Sequence, residues 1–114
     1  MKYFFWSIVI VLFLCNSLAL AHPAKEINLK YDNETRLLSV RVIHDVKDFN
    51  KHYIEKVWVS VNKKEVVVQS FNGQDNLEKL ELHFKLFNLK KGDVISVDSK
   101  CNIFRKKTEY LEIE

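Results

Sequence analysis

Apolar and polar residues alternate with a period of two along most of this chain. Ile27, Leu29 and Tyr31 alternate with polar neighbours, and Asp32-Asn33-Glu34 supplies a turn. Leu38, Val40 and Val42 are separated by Ser39 and Arg41. Tyr53 to Val61 is rich in β-branched and aromatic residues. Asn62-Lys63-Lys64 then turns the chain into Glu65-Val66-Val67-Val68. A turn cluster from Phe71 to Asn76 follows. Leu80, Leu82, Phe84 and Leu86 alternate with charged residues and His83. Lys90-Lys91-Gly92-Asp93 turns again before Val94-Ile95-Ser96-Val97, and a last run spans Thr108 to Ile113. Side chains of a half-buried strand point alternately in and out, so this pattern predicts about seven short strands and an all-β sandwich. The leucines between Leu77 and Leu89 also fit a helical spacing. Strict alternation over four positions favours a strand there.

The beginning of the chain is different. Lys2 precedes an almost unbroken apolar run from Tyr3 to Leu14, followed by Cys15-Asn16-Ser17 and Leu18-Ala19-Leu20-Ala21. A charged start, an apolar stretch and small residues at Ala19 and Ala21 form the layout of a secretory signal peptide. The run is too short to span a bilayer, which takes roughly 20 residues. The expectation is a signal peptide over 1–21, cleavage before His22, a single domain over 22–114 with no stable membrane anchor, and a periplasmic or secreted protein. Cys15 leaves with the leader, so Cys101 would be the lone cysteine of an exported chain. It is then a buried inert thiol, half of an intermolecular bridge, or a metal ligand. Composition favours the first, because free cysteine is among the most buried residue types.

Charge narrows the partners. The 114 residues carry 18 Lys and Arg against 15 Asp and Glu, a net charge of +3. That is too even a balance for a nucleic-acid binder. With 47% apolar residues, two glycines and one proline, disorder and low-complexity classes are excluded as well. No nucleophile elbow, phosphate-binding loop, dinucleotide fingerprint or Cys-x-x-Cys is present. Asn33-Glu34-Thr35 matches a glycosylation sequon, which matters only in a eukaryotic secretory pathway.

Candidate chemistry lies with the histidines and Cys101. His44 closes the second predicted strand, and His52 opens the third after the loop Asp45 to Lys51. Cys101 ends the sixth. In an antiparallel meander the end of one strand and the start of the next share one end of the sheet. His44 and His52 should therefore meet, and Cys101 can join them. Imidazole and thiolate together suit iron, zinc or copper rather than calcium or magnesium. As the first residue after cleavage, His22 would offer an α-amine and an imidazole to one ion, a chelate that favours copper. His83 is out of phase with Leu82 and Phe84 and should face solvent.

The segment His44 to Ile54, ending in His52-Tyr53-Ile54, together with Lys91-Gly92-Asp93 and Cys101-Asn102, resembles the iron-binding domain of desulfoferrodoxin and superoxide reductase. The resemblance covers most of the chain after the leader, through short motifs. It implies an immunoglobulin-like sandwich in which ferrous iron is held by four histidines in a plane and one axial cysteine. Superoxide is reduced to peroxide at the open position, with electrons from a donor that the sequence does not identify. Carried over, Cys101 matches the axial thiolate and His52 the histidine of His-Tyr-Ile. His44 matches the histidine opening the same loop, with Asp45 in place of the usual proline. His22-Pro23 matches the early histidine. The fourth histidine falls at Phe104, which has no ligating atom. Lys25, Lys47 and Lys51 are the candidates for the family's lysine. The resemblance thus implies an exported iron-binding protein with His22, His44, His52 and Cys101 as ligands, and Phe104 tells against a full catalytic centre. Zinc or copper are the other metals such a set takes. The alternatives are a non-catalytic sandwich acting as an accessory or interaction module, and a copper-binding protein using His22.

Overall fold

A computed structural model describes residues 24–103 and 105–114. The expected signal peptide over 1–21, His22 and Phe104 therefore lie outside the described residues. Seven strands follow one another: β1 Glu26–Asp32, β2 Leu37–Ile43, β3 Ile54–Val61, β4 Lys64–Ser70, β5 Lys79–Lys85, β6 Val94–Cys101 and β7 Lys106–Glu112. Among the described residues there is no helix, and the segment with leucines at helical spacing is the strand β5. The strands form two antiparallel sheets, one ordered β1-β2-β5 and the other β4-β3-β6-β7.

Alternation dictates which face of each sheet turns inward. In the first sheet, Leu38 pairs with Phe84, Val40 with Leu82 and Val42 with Leu80, and all six are buried. In the second, Val59 pairs with Val97 and Val61 with Ile95. Ile54, Val57, Val59, Ile95 and Val97 are fully shielded from solvent. Removing side chains of this size from water stabilises the fold by roughly 1.5–3 kcal/mol each, and the two inner faces together make the core.

Turn chemistry closes the hairpins. Asn62 and Lys63 both adopt positive φ, 50° and 69°, the geometry of a two-residue hairpin whose twist matches its strands. Asn62 also accepts a hydrogen bond from Val94 N at 3.0 Å and donates to Asp93 at 3.0 Å, tying this hairpin to the next turn. There Gly92 sits at φ +91°, where a side chain is strained.

One irregularity bears on the site. The pairing of β3 with β6 shifts register between Ile54 and Lys56. Ile54 and Val57 therefore both face the core although they are three residues apart. A bulge inserts one residue and re-aims its neighbours. Here it lies where Ile54 pairs with Cys101.

Candidate metal centre

Three separate segments bring the candidate ligands to one end of the sandwich. His44 follows β2 directly and continues its inward phase after Leu38, Val40 and Val42, so its ring enters the core and is only 2% exposed. Its N–H donates to Glu78 O at 2.7 Å, and Val46 N donates to Leu77 O at 2.8 Å, which extends the sheet past the end of β2. His52 lies two residues before β3 begins. The turn that delivers it is built on Asp48, whose carbonyl accepts from Lys51 N at 3.1 Å and His52 N at 2.9 Å. Its carboxylate accepts from Asn50 N at 2.9 Å. Cys101 is the last residue of β6, a free and completely buried thiol. Asn102, next to it, bonds across to the segment carrying His52. It donates to Lys51 O at 2.7 Å and accepts from Tyr53 N at 3.1 Å, while its own N–H donates to Tyr53 O at 3.0 Å.

The result is a cluster. One ligating atom from each of His44, His52 and Cys101 lies within 4.8 Å of the other two, and among the described residues this is the one such group of His, Cys, Asp and Glu. The imidazole rings meet edge to face, with centroids 4.6 Å apart. His44 Nε2 and His52 Nε2 are both buried with no hydrogen-bond partner. Leaving a buried polar atom unsatisfied costs about 1–3 kcal/mol, a cost that a metal ion bound by these rings would remove. Nitrogen and sulfur donors suit a borderline transition metal, whose bonds of about 2.0 Å to nitrogen and about 2.3 Å to sulfur would draw the three atoms closer together than the 4.8 Å that bounds them here.

Electrostatics agree with ligation. Burial first, and then the neighbouring His44 ring, hold the His52 imidazole below its ordinary value near 6.5. His52 is therefore neutral, the form that binds metals. This has a measurable consequence for the metal-free protein. Just below pH 6.5 the unfolded chain takes up a proton that the folded chain does not. Stability is accordingly full above about 6.5 and declines as pH falls from there through the depressed folded value. Denaturant midpoints recorded from mildly alkaline to mildly acidic pH should fall across that window, and His52→Ala should flatten the change.

The structure thus brings together three of the four residues expected to ligate, and the fourth, His22, lies outside the described residues. Lys25 is drawn to the rim by an ion pair with Asp45 at 2.5 Å, and Asp45 raises its pKa through that hydrogen bond and its charge. Lys47 and Lys51 are exposed on the connection that carries His52. His83 is exposed on β5, 3.2 Å from Ser39 Oγ, and takes no part. One contributor escapes sequence reasoning altogether. Gln74, which the sequence places in a turn cluster, is buried at 8% exposure and its side-chain oxygen lies 3.0 Å from His44 Nδ1. No spacing rule points to it.

Fold and site together define an all-β, two-sheet protein with a candidate transition-metal centre at one end. Its fold is that of superoxide reductase (1Fe-SOR) from Giardia intestinalis, a solved structure that matches 81% of this chain and all of its own length with a TM-score of 0.61 at 16% identity. No family model matches the chain. Over 93 residues it is also 25% identical to the exodeoxyribonuclease 7 large subunits of Staphylococcus epidermidis and Staphylococcus aureus. The chain covers 82% of itself in those matches but spans only 20% of the length of these relatives.

Proposed function

We propose that this protein is an exported metal-binding protein related to superoxide reductases, with iron as its metal and His44, His52 and Cys101 among the ligands. The observation that carries this is that ligating atoms of His44, His52 and Cys101 lie within 4.8 Å of one another, in a place where the Nε2 atoms of both rings are buried without a hydrogen-bond partner. The likeness of fold supports it independently. His22 is the fourth ligand in this proposal, since a leader ending at Ala21 would leave it at the start of the chain.

Iron bound here would supply a one-electron couple, made more electron-donating by a thiolate ligand. The chain's own contributions are simpler. Cys101 provides a sulfur shielded from water, and Asn102 holds the His52 segment beside it. Lys47 and Lys51 give the rim positive charge that would draw in a small anion such as superoxide. Phe104 removes the fourth histidine of the resembled family, so metal binding is the central claim and superoxide reduction is the further step to be tested. A net charge of +3 is too even a balance to argue for nucleic acid as the partner, despite the partial match to an exodeoxyribonuclease subunit.

The test is to express the full chain, purify the product without a tag at its N-terminus, and measure bound metal together with superoxide consumption in the presence of a reductant. Bound iron with reductant-dependent peroxide formation supports the whole proposal. The balance is one superoxide, one electron and two protons to one hydrogen peroxide. Zinc, or copper that survives blocking of the N-terminus, keeps the site and replaces the metal. Copper that is lost on blocking His22 supports the copper-chelating alternative. Metal at background, unchanged by His44→Ala, leaves a non-catalytic accessory module.

A further inference from the structure

We infer that Gln74 is a positioning residue of this centre: it locks His44 in the tautomer that carries its proton on Nδ1 and keeps the Nε2 lone pair free for a metal ion. The inference rests on the metal-binding reading and goes beyond it, to the residue that sets the ligand's chemistry.

The lock follows from counting donors and acceptors. The Gln74 side-chain nitrogen has two N–H groups and no lone pair to offer. It donates one to His44 O at 2.9 Å and the other to Asn76 O at 2.8 Å. Both partners are carbonyls, so the amide cannot be turned over. An oxygen in that place would face two carbonyl oxygens and lose both bonds. The atom 3.0 Å from His44 Nδ1 is therefore the amide oxygen, which only accepts. His44 Nδ1 must then carry the hydrogen. A neutral imidazole holds one hydrogen, so His44 Nε2 is left with its lone pair, and this is the atom that lies buried without a partner.

The clamp grips residue 44 twice, at its ring and at its carbonyl, so the ring cannot rotate without breaking a buried hydrogen bond. It is anchored in turn. Asn76 Oδ1 accepts from Glu78 N at 2.8 Å and Lys79 N at 3.0 Å, which fixes the turn at the start of β5. Acceptors behind ligating histidines generally orient the ring and raise its basicity, and losing one typically costs 10–100-fold in metal affinity.

Nitrogen NMR on histidine-labelled protein reads the tautomer directly, and cobalt(II) titration reads affinity. Metal-free wild type at mildly alkaline pH should show His44 protonated on Nδ1, a result that needs no variant. Gln74→Met, which keeps the length and removes the amide, should release the tautomer to a mixture and weaken cobalt(II) binding about 10–100-fold. Gln74→Glu keeps an acceptor for Nδ1 but loses both donors. It should hold the tautomer and most of the affinity while lowering the melting temperature. A merely structural role would instead make affinity fall in step with stability in both variants. A wild-type His44 protonated on Nε2, or a folded Gln74→Met that binds cobalt(II) as tightly as wild type, overturns the inference and leaves the metal site standing. Wild type that binds no cobalt(II) overturns the metal reading itself.

Discussion

Cys101→Ser should lower cobalt(II) affinity by at least about 100-fold, equivalent to about 2.7 kcal/mol, and abolish the sulfur-to-metal charge-transfer absorption. A hydroxyl is a poor ligand for a borderline metal beside a thiolate, and no second sulfur lies among the described residues to replace it. The fold itself should lose only about 1–3 kcal/mol, the cost of a buried hydroxyl without a partner in place of a small apolar group. Separating the two effects is the point of the experiment. An inert core thiol would give the stability loss with unchanged metal binding. His83→Ala is the matched control, because that ring is exposed on β5 and should leave cobalt(II) affinity unaltered.

Ile54→Ala should be the most destabilising single truncation near the site, costing about 2–5 kcal/mol. Ile54 is fully buried, opens β3 at the bulge and pairs with Cys101. A small domain has only about 5–15 kcal/mol in total, so the melting temperature should drop by roughly 10–40 °C. Metal affinity should fall with it, because the void opens beside the strand end that holds the thiol. Val66→Ala, on the outward face of β4 at 50% exposure, should change stability by no more than about 0.5 kcal/mol. Thermal melts of the three metal-free proteins decide between these expectations.

Much of this was legible along the chain, for reasons that are physical. The inward residues of β2 and β5 alternate without interruption, so their pairing face follows from sequence alone. The same phase, carried one step past β2, places His44 in the core. His44 and His52 do meet, but not as neighbours in one antiparallel sheet: the connection between β2 and β3 crosses from one layer to the other. The bulge was not legible, because Glu55 and Lys56 are both polar and nothing marks the extra residue until β6 is laid beside them. Strand ends moved for a related reason: His44 lies just beyond β2, where its N–H bond to Glu78 O continues the ladder, and His52 lies two residues ahead of β3, where the chain is held by bonds to Asp48 and Asn102 instead. Gln74 was invisible because its role depends on three partners, two of them backbone carbonyls, which carry no sequence signature.

The ligands are divided between the two layers, His44 extending the sheet of β1, β2 and β5, and His52 and Cys101 belonging to the sheet of β3 and β6. An ion shared among them would rivet the layers together at that end, closing a long loop much as a disulfide does. Starved of metal, the same end would be the first to splay open. Proteases would then remove the empty form faster than the loaded one, so that the amount of protein would follow the supply of metal.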